Sequence, residues 1–156
     1  MEIKSKEKDK VLAFILNEEN ELLLLKTSDK DKVFNYSFFY TVTGGKEEFD
    51  LSFEDTVKRE IKEETNLDAI NIKFLNYILK YNINEVCCNE HVFLARVKKD
   101  KIILNEEHVE YLWCKTIKEY VDKIKWFYNK EILLKILQNA VEDKIYFKNI
   151  REEKLY

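Results

Sequence analysis

The sequence predicts an α/β (α+β) fold, a mixed β-sheet sandwiched between α-helices. Three observations carry this. Strand-like apolar runs come first, then one capped amphipathic helix, then further apolar runs and helical patterns, an order that fits a mixed sheet with helices packed on it. Hydrophobic residues make up 46% of the 156, enough to bury a substantial core. Apart from Lys-rich ends the charges are spread evenly, and there is no repeat, low-complexity tract or linker. Residues 1–156 are therefore expected to form a single domain, with frayed termini.

Taken in order, Val11–Leu16 and Glu21–Thr27 are apolar and flank the polar Asn17-Glu18-Glu19-Asn20. They predict a hairpin of two buried strands. Residues 28–36 are polar and charged and predict a loop. Phe38–Val42 is aromatic and β-branched, a strand that runs into Gly44-Gly45. Ser52–Asn66 is the clearest helix. Ser52 is the expected N-cap with Asp55 three residues on, and Asn66 suits a left-handed C-terminal residue. Phe53, Val57 and Ile61 form its buried stripe. Asp55→Arg59 and Glu54→Lys58 are expected i,i+4 pairs. Ile70–Tyr81 and Val86–Val97 predict two long strands joined near Asn82-Ile83-Asn84. Ile102–Leu104 and Tyr111–Cys114 predict shorter strands, and 117–124 a short helix. Asn129–Val141 predicts a second good helix with Leu133, Ile136, Leu137 and Ala140 on one face.

Composition excludes several classes of function. A net charge of −3 gives no pull toward nucleic acid or an anionic membrane. The longest unbroken apolar run, Val11–Leu16, is far too short to span a bilayer. The first residues lack the apolar core of a secretory signal. Three cysteines suggest reduced thiols and a cytoplasmic setting.

The chemistry is expected where two features meet. Arg59-Glu60-Ile61-Lys62-Glu63-Glu64 lies on the predicted helix, and at 100° per residue Glu60, Glu63 and Glu64 share an arc of about 100° beside the buried stripe. Gathered carboxylates repel one another, and a hard divalent cation such as Mg²⁺ removes that penalty. By itself an E-x-x-E-E helix is an ordinary solvated face. The second feature is Gly44-Gly45, the only glycines in the chain. They end a predicted strand just ahead of the helix. Glycine there permits positive φ, or close backbone approach to a ligand.

Together these residues resemble the box of the Nudix hydrolase family (MutT-like), G-x5-E-x7-R-E-(apolar)-x-E-E-x-G-(apolar). Arg59 stands fourteen residues after Gly45, the Arg59–Glu64 core matches fully, and Leu67 fills the final apolar position. Three positions depart: Leu51 stands for the first glutamate, Asp50 for a common preceding glycine, and Asn66 for the late glycine. Glu48 or Glu54 are candidates to replace the missing carboxylate. Tyr40-Thr41-Val42-Thr43 resembles the aromatic-x-aliphatic-Pro before the glycines, without the proline. Glu106–Trp113 is similar to a late E-x-x-E-x-x-W segment, so the resemblance covers about residues 10–140.

The resemblance implies that Glu60, Glu63 and Glu64 bind Mg²⁺ or Mn²⁺, with Glu60 or Glu63 helping deprotonate the attacking water. It implies a further ligand in the Gly44 carbonyl, and Arg59 as the group that orients the glutamates. A late-loop glutamate adds a ligand or the base, Glu107 as first choice and Glu110 as second. The implied activity is Mg²⁺-dependent cleavage of a pyrophosphate bond in a nucleoside diphosphate linked to another group, by water attack. The expected partner is a small-molecule nucleotide, with no membrane or long nucleic acid, and the chain is a monomer or homodimer. The alternatives are a catalytically impaired Nudix-like nucleotide-binding or regulatory module, to which Leu51 points, and a structural domain with no ligand.

Other residues carry weaker signals. Cys87, Cys88 and His91 lack a zinc spacing, and strand alternation points Cys88 away from the other two. His108 suits a surface position or a substrate contact. Most of Phe38, Phe39, Phe93 and Trp113 is expected in the core, with Tyr36 or Phe38 near the glycines placed to stack on a base. Trp126, Phe127 and Tyr128 suggest packing between helices.

Overall fold

The computed structural model describes residues 6–28 and 36–141. Most of the loop expected at 28–36 lies outside the described residues, as do residues 1–5 and 142–156. The strands are β1 (Lys6–Leu16), β2 (Leu22–Thr27), β3 (Phe39–Tyr40), β4 (Val42–Gly45), β5 (Ala69–Ile83), β6 (Val86–Val97) and β7 (His108–Cys114). The helices are α1 (Phe53–Thr65), α2 (Ile117–Lys123) and α3 (Lys130–Val141). The seven strands form one mixed sheet in which the path β3-β2-β1-β6-β5 is joined by β4 on β1 and β7 on β2.

Strand β1 is the hub. It runs antiparallel to β2 and β4, and parallel to β6 from Lys6↔Val86 to Leu16↔Arg96. Val11–Leu16 is buried on both faces, which is why the run reads as continuously apolar rather than alternating. Alternation divides it between two cores. Val11, Ala13 and Ile15 pack with Val57 and Ile61 of α1. Leu12, Phe14 and Leu16 pack with Tyr120 of α2 and Leu133, Ile136, Leu137 and Ala140 of α3. The sandwich of helices about a mixed sheet is thus the predicted fold.

Helix α1 follows its sequence closely. Ser52 is extended and its Oγ accepts from the Asp55 amide at 3.2 Å. Asn66 closes the helix at φ 67°, its amide donating to the Lys62 carbonyl at 2.9 Å. Val57 and Ile61 are fully buried, worth about 1.5–3 kcal/mol each. They fix α1 rigidly against β1, and with it every carboxylate the helix carries.

The structure corrects four expectations. Strand β1 begins at Lys6 rather than Val11. Its charged half has no apolar pattern, but β6 pairs with it from Lys6↔Val86 onward, and β4 joins from Lys10. The strand expected at Phe38–Val42 is divided into β3 and β4, which pair with different partners. Ile102–Leu104 is not a strand: the Ile103 amide donates to the Thr65 carbonyl at 3.0 Å, so the helix end rather than the sheet satisfies it. Finally, among the described residues left-handed backbone falls on Asn20, Asn66, Asn76, Asn84 and Glu85, and neither glycine has positive φ. Asn84-Glu85 form the two-residue turn between β5 and β6.

Candidate active site

The site is built where β4, the end of α1 and the start of β7 converge. Arg59 organises it. Its Nε donates to Asp50 Oδ1 at 3.1 Å, and Nη2 donates to Asp50 Oδ2 and to the Gly45 carbonyl, each at 2.9 Å. Nη1 donates to Glu60 at 2.9 Å and reaches Glu63 at 3.4 Å. All five donors of the guanidinium are used, and this planar fork has one orientation that satisfies them. The ring of Phe49 covers its face, 5.2 Å away. The expected pairing with Asp55 is therefore replaced by one with Asp50.

Asp50, the residue before Leu51, is the carboxylate that pairs with Arg59 at this turn. Its side chain is buried, accepting also from the Glu47 amide and from Thr56 Oγ1, both at 2.9 Å. The hydrogen-bonded Arg59 guanidinium holds its carboxyl well below the usual range. Leu51 points to solvent at 92% exposure. Glu48 and Glu54, expected as substitutes, are exposed, and Arg59's anionic partners are Asp50, Glu60 and Glu63. The signal for Asp50 was its place beside the gap, but its reach to Arg59 depends on how the turn folds.

The glutamates separate by depth. Glu63 is half exposed at the rim, Glu60 is largely covered, and Glu64 is buried. Oε1 of Glu64 lies 3.6 Å from His108 Nε2, and Oε2 is buried with no hydrogen-bond partner. Burial, then Glu60 and Glu107, push the Glu64 carboxyl well above its ordinary range. Burial also lowers His108, favouring neutral imidazole. One ligand atom each from Glu64, Glu107 and His108 lies within 4.8 Å of the others. A hard divalent cation would satisfy this set of carboxylate oxygens and one imidazole, including the orphaned oxygen.

Of the two late-loop candidates, Glu107 comes to Glu64, while Glu110 turns to Lys26 at 3.7 Å on the strand surface. The side chain of His108 is buried beside Glu64, at 7% exposure, rather than on the surface. Its place at the start of β7 follows from the bulged pairing with β2, which the sequence does not display.

The glycines serve close approach, not positive φ. A methyl group on Gly44 would fall inside the Glu60 carboxyl group, whereas one on Gly45 would meet only the flexible end of Lys8. Gly44→Ala is thus expected to displace Glu60 and lower kcat/KM about 10- to 100-fold, as losing support for a metal ligand does. Gly45→Ala should change it by less than about threefold. Parallel steady-state assays at saturating Mg²⁺ compare the two.

Beside this cluster opens a cleft of about 810 Å³, lined by Glu64, Glu107 and His108 and, on its walls, by Phe38, Tyr40, Phe127 and Tyr128. Phe38 therefore sits where a base could stack, with Tyr36 against it at 5.5 Å. Trp126 packs on Phe14 in the core, but Phe127 and Tyr128 line the cleft rather than joining helices. Cys88 is buried and His91 stacks on Phe53 at 4.0 Å; among the described residues neither belongs to a metal-ligating cluster. Among those residues no helix is long and apolar enough to cross a membrane.

Comparison with known proteins identifies the family and the fold. The family model described as NUDIX domain matches residues 6–146. A dihydroneopterin triphosphate diphosphatase from Haemophilus influenzae is 29% identical over 143 residues, covering 79% of this chain and 89% of that protein. The crystal structure of a MutT protein from Methanosarcina mazei Go1 superposes with a TM-score of 0.71 at 22% identity, over 89% of this chain and 99% of the other. The NUDIX domain of Shewanella oneidensis NrtR, complexed with ADP ribose, superposes with a TM-score of 0.68 at 16% identity, over 89% and 90%. With a family model spanning nearly the whole fold, the chain belongs to the NUDIX domain family and is a Nudix-type hydrolase.

Proposed function

We propose that this protein cleaves a pyrophosphate bond in a nucleoside diphosphate linked to another group, with Mg²⁺ as cofactor and Mn²⁺ as a substitute. The observation that carries this reading is the buried Glu64 carboxyl, its Oε2 without a partner, lining a cleft large enough for a nucleotide. Names of similar proteins support the substrate class: one is a diphosphatase of a pterin triphosphate, another was solved with ADP ribose. Both core clusters flank one sheet, which supports a single hydrolase domain.

In this reading Glu60, Glu64, Glu107 and the Gly44 carbonyl hold the cation. When bound, it supplies charge to polarise a phosphoryl oxygen and lowers the pKa of a water. Glu63, at the rim, accepts a proton from the attacking water, with Glu60 as the alternative acceptor. Arg59 fixes both glutamates and, through the Gly45 carbonyl, the glycine strand. His108 holds Glu64 from the far side. The impaired-module reading rested on Leu51 and the missing proline; against it, the Asp50 carboxylate pairs with Arg59 beside the position of Leu51.

A panel of nucleoside triphosphates, ADP-ribose and a pterin triphosphate, with product analysis, tests the proposal. A monophosphate product appearing with Mg²⁺ and abolished by chelation is expected. No turnover of any member with Mg²⁺ or Mn²⁺, or turnover indifferent to chelation, would overturn it.

A further inference from the structure

A second carboxyl lies in the cleft, outside the Glu64 cluster. Glu90 of β6 is 3% exposed, yet it lines the cleft together with Lys10 and Tyr81. Sheet pairing sets it there: Glu90 is in register with Lys10 on β1 and follows the Leu79–Tyr81 stretch of β5. Its Oε2 accepts from the Tyr81 hydroxyl at 2.9 Å and has the Lys10 ammonium at 3.9 Å. Among the described residues nothing hydrogen-bonds Oε1.

A buried carboxyl in an aromatic-walled cleft is costly unless its oxygens are satisfied. A purely structural network would satisfy both, whereas this one leaves an acceptor facing the cleft. Oε2 keeps a lone pair as well, so the group offers two adjacent acceptors and no donor when ionised. Burial raises the Glu90 carboxyl above its ordinary range, and the Tyr81 hydroxyl and then Lys10 oppose that shift in part.

The matching ligand edge presents two adjacent N–H donors to be held in bidentate fashion. Guanine has that edge, N1–H beside the 2-amino group, and so does a pterin, N3–H beside its 2-amino group. Both are 2-amino-4-oxopyrimidines. Adenine and cytosine place a ring acceptor beside their amino group, which a carboxylate repels, and hypoxanthine lacks the amino group. Flat aromatic walls suit either bicyclic ring.

Resting on the pyrophosphohydrolase reading above, we propose that Glu90, with Tyr81 orienting it, selects substrates carrying a 2-amino-4-oxopyrimidine ring.

The test measures kcat/KM of the full chain with Mg²⁺ for GTP, 7,8-dihydroneopterin triphosphate, ITP and ATP. GTP or the pterin is expected to exceed ITP about 10- to 100-fold, the worth of one hydrogen bond to a charged group. Glu90→Gln should bring that ratio to within about threefold of unity. Whichever of GTP and the pterin is faster names the physiological ring. Equal rates for GTP and ITP in the unmodified protein, or a preference that survives Glu90→Gln, would overturn the assignment. If none of the four is hydrolysed, the kinetics do not report on Glu90, and the hydrolase reading is decided by the wider panel above. Metal-free calorimetry of GMP against IMP then decides on Glu90 independently: tighter GMP binding supports it, and equal binding overturns it.

Discussion

Glu64→Gln is expected to abolish Mg²⁺-dependent turnover while making the metal-free protein more stable. The amide keeps the shape of the side chain but removes the charge at the deepest point of the site. Loss of several kcal/mol of charge stabilisation, at 1.36 kcal/mol per tenfold, lowers kcat/KM by about 10³-fold. The stability change has the opposite sign. Glu64 is buried among Glu60, Glu107 and His108 with Oε2 unpartnered. An amide brings a donor that a neighbouring carboxylate accepts, which recovers about 1 kcal/mol of an unmade hydrogen bond. For a chain of this length that raises Tm by roughly 2–4 °C. Thermal melts without metal, paired with steady-state kinetics, read both effects. A variant less stable than the parent, or one with undiminished turnover, would remove Glu64 from the role given to it. This is the general stability cost of assembling a charged site before its ligand arrives.

Asp50→Ala is expected to lower both stability and activity, and Leu51→Glu neither. Removing the Asp50 carboxylate leaves two guanidinium donors of Arg59, the Thr56 hydroxyl and the Glu47 amide without their acceptor. Breaking a fully buried pair costs about 3–5 kcal/mol. Arg59 is 20% exposed and water reaches its rim, so about 2–3 kcal/mol is expected here, or roughly 5–10 °C in Tm. Released from Asp50, Arg59 no longer fixes Glu60, and kcat falls with stability. Leu51 is exposed and Arg59 is already fully engaged. Restoring a glutamate at 51 should therefore shift Tm by less than about 1–2 °C, as surface changes do. Urea denaturation and kinetics on the two variants make the comparison. A large gain of activity in Leu51→Glu would show that Asp50 does not stand in for the missing residue.

The same pair predicts a pH dependence. The folded carboxyl of Asp50 ionises well below its unfolded value of about 3.9. Its stabilisation is thus fully present above that value and is lost as pH falls through the folded one. Asp50→Asn should lie well below the parent in stability at pH 7 and approach it as the medium is acidified toward pH 2. Parallel denaturation curves across that range check the sign.

How much of this was legible depends on the range of the interaction. The α1 caps, its stripe and its carboxylate arc lie within one helical turn of one another, and Ser52, Val57, Ile61 and Asn66 all stand as the sequence predicts. The apolar runs that became β1, β2, β5 and β6 were equally plain. The beginning of β1 at Lys6 was hidden, because pairing with β6 rather than apolar pattern keeps a charged segment extended. Glu107 was the first choice and Glu110 the second, and the structure brings Glu107 to Glu64 while Glu110 pairs with Lys26 beside the bulge at Lys26/Thr27. Glu90 gave no signal, since one polar residue in a strand does not show whether it faces solvent or a cleft.

The two glycines divide the credit most clearly. By itself the sequence determined that one backbone site, Gly44-Gly45, needed special geometry, and the fourteen-residue step from Gly45 to Arg59 matched that site to the family box. Only the tertiary structure decided why. Asparagines and one glutamate supply the left-handed turns among the described residues, so conformational freedom was not what glycine was kept for. Gly44 is bare because the Glu60 carboxyl occupies the volume its side chain would fill. Local conformation is written in neighbouring residues, whereas the space between a strand and a helix exists only once both are packed.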